Sequence, residues 1–170
     1  MRNLSLIPFT GITNRLFANW LHLSDLNTVN DLIEKGFVQA QSKRTIALHP
    51  MIQEVAIEET KPSVKNCDTL LQSLHEICLR HGEEVSYYRL MFQTIENSIN
   101  LLKNDDMEHY LRFLEDVFPY MEKYQYTSGL ELILKKLTEL LQDKTVGTTS
   151  DRALLLDYRA SCEIKLEKAI

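Results

Sequence analysis

Glycine, proline and cysteine are all scarce in this 170-residue chain, with five, four and three copies. So few turn-formers argue against a sandwich or barrel of many short strands and leave helices as the main element. The cysteines, Cys67, Cys78 and Cys162, are odd in number and lack framework spacing, which points away from a disulfide scaffold and towards a reducing cytoplasm. No apolar run approaches the ~20 residues of a membrane span. Residues 4–9 are too short, and too broken by Pro8, for a signal peptide. Positive charge is in deficit, 19 Lys and Arg against 24 Asp and Glu, so binding a phosphate backbone would need a local basic patch. Catalytic patterns are missing too: there is no G-x-S-x-G, no H-E-x-x-H and no glycine-rich phosphate loop. An enzyme is not expected.

What is present is a folded, mainly α chain, 44% hydrophobic and 25% charged. Its organising stretch is residues 26–54. Asn27 can cap a helix carrying Val29, Leu32 and Ile33, and Gly36 supplies a left-handed stop. Phe37-Val38 and Ile46-Ala47-Leu48 read as two short strands, joined by a polar turn at 41–44. Pro50 suits the first turn of a new helix, for which Met51, Ile52, Val55 and Ala56 predict a buried stripe. That order is the order of a winged helix, three helices plus a two-stranded β-wing. Ahead of it, Thr13 or Asn14 can cap a helix with Leu16, Phe17, Trp20 and Leu21 on one face. The apolar start, Leu4 to Ile7, reads as the tail of a longer helix, so residue 1 is not expected to be a natural boundary.

The polar break at 58–62 predicts a boundary, giving a winged-helix domain over 1–59 and a helical region over 60–170. Five amphipathic helices follow, with stripes such as Cys67, Leu71, Leu74 and Cys78, or Phe92, Ile95, Ile99 and Leu102. Asp105 with Glu108, and Ser128 with Glu131, are expected to form capping pairs. Pro119 should kink or break the third of these helices. The short connections predict antiparallel hairpins of the tetratricopeptide type. The last helix, with small positions Ala153 and Ala160, lacks a partner helix, which would leave Leu155, Cys162 and Leu166 exposed.

Four groups of side chains invite a functional reading. Lys35, Lys43 and Arg44 would be the phosphate contacts if the helix over 27–35 entered a DNA groove. Residues 1–60 nevertheless carry five basic against six acidic residues, which favours a protein-packing module over a nucleic-acid binder. His75, Cys78 and His81 fall at three-residue steps near Cys67, a weak zinc pattern that core packing explains better. Tyr87, Tyr88, Phe118, Tyr120, Tyr124 and Tyr126 could line a peptide groove, although hairpin packing is the commoner use. His49, between a strand and Pro50, would locally fix a helix start.

The runs Leu32-Ile33-Glu34-Lys35-Gly36-Phe37-Val38 and Ile46-Ala47-Leu48-His49-Pro50-Met51-Ile52-Gln53-Glu54-Val55-Ala56 resemble the winged-helix domain of signal-transducing NTPases with an NB-ARC (STAND-type) module. Bacterial members often carry tetratricopeptide repeats after it. In that family a Met-His-Asp motif closes the winged helix, and its histidine reaches the phosphate of bound ADP. Here the matching run is Leu48-His49-Pro50, so His49 alone carries over and Pro50 replaces the acidic residue. The resemblance implies a regulatory, protein-interaction segment: the arm and sensor start of a switch whose NTPase module is absent. It implies no cofactor in this chain, with ADP or ATP held only by a module elsewhere, and a protein partner or adjoining NTPase and repeat modules. The alternative is a DNA-binding winged-helix regulator with a helical ligand-sensing or dimerisation domain.

Overall fold

A computed structural model describes residues 1–40, 44–81, 88–102, 107–124, 126–143 and 148–167, and of residues 80, 81 and 88 the backbone only. The fold is mainly α, with eight α-helices and a small three-stranded antiparallel sheet among the described residues. Two compact units divide between Leu102 and Lys103. No described helix is long and apolar enough to cross a membrane.

The first unit is built on its apolar start. Leu4, Leu6 and Ile7 are buried, in and just after a 3-10 turn over Asn3–Leu6. That turn exposes carbonyls which buried backbone must pair, and distant carboxamides do so. Gln53 Nε2 donates to the oxygens of Ser5 and Ile7 at 2.7 and 3.2 Å, and Asn97 Nδ2 donates to that of Leu6 at 3.2 Å. After Pro8 the chain reaches β1 (Ile12–Thr13) through Gly11. Gly11 has φ +80°, and a Cβ there would sit 2.7 Å from the Ile46 carbonyl oxygen, so only glycine lets the two strands approach. The Thr13 hydroxyl accepts a hydrogen bond from the Leu16 N–H and caps α1 (Asn14–Trp20).

α2 (Asn27–Glu34) is capped differently from the expectation: the Asp25 carboxylate accepts from the Asn27 N–H at 2.8 Å, and Asn27 is already helical. Asp25 precedes the first free amides and carries the stronger acceptor. Gly36, at φ +74°, ends the helix as expected. β2 (Gln39–Ala40) and β3 (Thr45–Ala47) follow, two residues beyond the expected first strand; Phe37 is left 47% exposed and Val38 turns inward. The sheet order is β1-β3-β2, with Ile46 opposite both Ile12 and Ala40. A two-stranded wing was therefore one strand short. The third strand spans two residues, too few to show an alternating pattern, yet it flanks the ribbon that would otherwise be marginal.

α3 (Pro50–Thr60) also turns away from its expected face. Met51 and Val55 are 69% and 54% exposed, while Ala56 is buried with Ile52, Gln53, Ile57 and Thr60 half-buried around it. The Gln53 bonds to the N-terminal turn set this rotation. The polar stretch 58–62 lies inside the first unit. Arg2 Nε donates to the Thr60 carbonyl at 3.2 Å, and Asn66 Nδ2 donates to the Lys61 carbonyl at 3.0 Å. Beyond it, α4 (Asp68–His81) buries Leu70, Leu71, Leu74 and Cys78, and α5 (Tyr88–Leu101) buries Phe92, Ile95 and Ile99. The Ser73 hydroxyl donates to the Trp20 carbonyl at 2.7 Å, tying α4 to α1.

The second unit is three helices, α6 (Met107–Lys123), α7 (Thr127–Gln142) and α8 (Thr149–Glu167). On α8, Tyr158 meets Phe118 and Glu115 of α6, and Lys165 meets Glu122. Both contacts advance together along the two helices, so α6 and α8 run parallel and α7 returns between them. Pro119 does not break α6, which stays helical to Lys123 with the ring exposed. α7 starts at Thr127 after Tyr126, without a side-chain cap, so Ser128 and Glu131 do not form the expected box. The box is at α8 instead, where the Thr148 hydroxyl accepts from the Asp151 N–H and Asp151 Oδ2 accepts from the Thr148 N–H at 2.7 Å. Asp105 and Gly82 lie outside the described residues. The last helix is not left open on the expected face: Leu155 and Cys162 are 0% exposed, because α7 packs along α8. Ala153, Leu156, Ala160 and Ile164 face solvent.

Candidate functional site

His49 is held at the surface by its neighbours. Leu48 is buried at the end of β3, while Pro50 starts α3, so the backbone between them is extended at φ −62° and ψ 141°. The exposed imidazole folds back, and Nδ1 accepts a hydrogen bond from the Met51 N–H at 3.3 Å. This satisfies one of the unpaired amides of the helix start. An accepting Nδ1 bears no proton, so the neutral ring carries its proton on Nε2 and turns a donor to solvent. The arrangement can present a hydrogen bond to an anion beside a helix N-terminus.

Of the basic residues in and beside the wing, Lys35 and Arg44 have described positions. Lys35 closes α2 and is exposed, with no ion pair to Asp31 or Glu34. Arg44 enters β3 at φ +63°, also exposed. Lys43 lies outside the described residues. On α4, Cys78 is buried, and burial pushes its thiol up to about 12. The His81 side chain lies outside the described residues. Among those described, no three His, Cys, Asp or Glu side chains converge to hold a metal.

A serine and a histidine do meet in the first unit. Ser73 Oγ is 3.2 Å from His22 Nε2, but its proton is committed to the Trp20 carbonyl. The imidazole therefore donates to the hydroxyl rather than accepting from it, which is the reverse of nucleophile activation. The aromatic groups of the second unit are used internally. Phe118 and Tyr120 are buried, the Phe118 and Tyr158 rings lie 5.0 Å apart, and those of Tyr120 and Tyr124 lie 4.6 Å apart. Tyr87 and the Tyr88 side chain lie outside the described residues.

Among the described residues, a site the sequence did not announce is a cleft of about 380 Å³ in the first unit, between the N-terminal turn, α3 and α5. Pro8, Phe9, Ile57 and Leu101 supply apolar surface, and Phe9 is 70% exposed. Its polar groups are carboxamides and one carboxylate. The Gln53 and Asn97 nitrogens are taken by the N-terminal carbonyls, which fixes their oxygens as acceptors. Gln93, Glu96 and Asn100 line the cleft with no side-chain hydrogen bond or ion pair among the described residues. The available signal was the spacing of Gln93, Glu96, Asn97 and Asn100, a polar face of α5 rich in carboxamides.

Comparison of the chain with family models, with curated proteins and with solved structures finds no match.

Proposed function

We propose that this chain is a non-enzymatic regulatory and protein-interaction segment, with a winged helix in its first sixty or so residues and tetratricopeptide-like hairpins after it. In this reading it is the relay arm and sensor start of a signal-transducing switch of the NB-ARC type. The observation that carries the reading is the placement of His49 directly after the sheet, capping α3 through Nδ1 and turning Nε2–H outward. A phosphate oxygen supplied by an adjoining nucleotide-binding module would meet that donor. The sheet order β1-β3-β2, with two helices between β1 and β2, supports the winged-helix part. The switch would work as a population shift. Contact between His49 and phosphate favours one placement of the arm, and a partner on the helical hairpins favours another.

The acidic neighbours of Lys35 disfavour groove binding by α2, since Asp31 and Glu34 are exposed on the same helix. Two measurements on the purified chain test the proposal. ATP turnover is expected to be absent, and turnover above a buffer blank would sink the non-enzymatic reading. Fluorescence anisotropy with mixed duplex DNA at low salt is expected to show no sub-micromolar binding. Tight binding that disappears in Lys43→Glu/Arg44→Glu would establish the DNA-regulator alternative instead. A positive check is the neighbouring coding sequence, where a phosphate-loop module is expected.

A further inference from the structure

The cleft between the N-terminal turn, α3 and α5 has a consistent chemical sign. Its two orientation-locked carboxamides, Gln53 and Asn97, offer oxygens, and Glu96 adds a carboxylate with no ion pair among the described residues. Acceptors and one negative charge, set against apolar walls, suit a ligand that brings donors and a positive charge on an apolar stem. Arginine fits best: its planar fork pairs with a carboxylate in bidentate fashion, and its face stacks on an aromatic ring. Phe9 is the exposed ring at this cleft.

The spacing on α5 adds the rest. Gln93 and Asn100 are seven residues apart, about 10 Å along a helix, which matches the reach of roughly three extended residues. Each free carboxamide carries both a donor and an acceptor, the complement of a peptide group. Glu96 lies between them. The geometry points to a docking cleft for a short extended peptide of a partner protein, with one arginine seated on Glu96 and Phe9 and its flanking main chain held by Gln93 and Asn100. This rests on the reading of the chain as an interaction module, and it names the chemistry of the partner.

The test is a titration of the full ¹⁵N-labelled chain with acetyl-Ala-Ala-Arg-Ala-Ala-amide, following the side-chain carboxamide signals of Gln93 and Asn100. Saturable shifts are expected. Glu96→Gln should raise Kd about tenfold or more, as loss of a charge-assisted contact does. Among the described residues Glu96 has no partner to lose, so the variant should keep the thermal midpoint of the parent. Asn100→Lys, which plants a cation on the exposed rim, should abolish the shifts as an independent check. The proposal is overturned if an all-alanine peptide binds equally well, if agmatine alone binds as tightly as the peptide, or if no shifts appear. Failure here leaves the turnover and DNA measurements untouched, so loss of the cleft and loss of the interaction-module reading are separately visible.

Discussion

Cys78 and Cys162 illustrate how a side chain records its surroundings in its acidity. Burial is the first cause in both, and each thiol is pushed up from an ordinary 9.0 to about 12. The folded chain therefore keeps both protonated where the unfolded chain would begin to ionise. That contribution to stability is fully present below about pH 9 and is lost as pH rises towards 12. Tyr158, raised to about 12 by burial and then by Glu115, acts in the same sense. Asp151 works at the other end: hydrogen bonds from the Thr148 backbone and hydroxyl hold it below 3.8, the ordinary value. Its contribution is present above that value and is lost as pH falls through the folded one. A urea midpoint measured against pH should thus fall above about pH 9 and fall again in acid; an Asp151→Asn chain should lose part of the acid limb. A midpoint constant from pH 9 to 12 would contradict the thiol assignment.

At the scale of elements, β1 and β3 meet closely at Gly11. A methyl group there would stand 2.7 Å from the Ile46 oxygen and 2.8 Å from Thr45 Cγ2, at a φ of +80° that alanine tolerates poorly. Gly11→Ala should cost about 1–3 kcal/mol, the usual range for overpacking and backbone strain. Chemical denaturation of the two chains reads the difference directly, and a change below half a kilocalorie would show that β1 can move aside. Arg152 supplies the matching device in the other unit. Its guanidinium donates to the carbonyls of Asp143 and Leu141, each at 2.8 Å, and so satisfies the open end of α7 from α8.

The elements that could be read from the sequence are those specified by neighbours in the chain. The stripes of α4 and α5, the Thr13 cap, the Gly36 stop and Pro50 at a helix start all rest on residues within one or two turns of each other. The misses share the opposite property. β1 is two residues long and exists because β3 lies beside it. Met51 and Val55, apolar and expected inward, face solvent because Gln53, a polar residue, is what docks α3 on the N-terminal turn. The cleft joins Phe9, Gln53 and Asn100, from three distant segments, so no local period could announce it. His49 was legible as a helix start, and its Nδ1 contact with the Met51 amide agrees with that local role.

For the whole molecule, two units with separate cores imply two unfolding events that need different probes. The single tryptophan, Trp20, is buried in the first unit, and Cys162 is buried in the second. Tryptophan emission and the labelling of Cys162, told apart from Cys67 and Cys78 of the first unit by peptide mass mapping, therefore report on different cores in one denaturant series. Leu137 is 0% exposed in α7, so Leu137→Ala should remove about 2–5 kcal/mol from the second core. The Cys162 labelling midpoint is expected to move to lower denaturant by more than the Trp20 midpoint does. The reciprocal change, Leu70→Ala in α4, deletes an equally buried side chain and should move the Trp20 transition more. Equal displacement of both midpoints by either substitution would mean that the chain unfolds as one cooperative body.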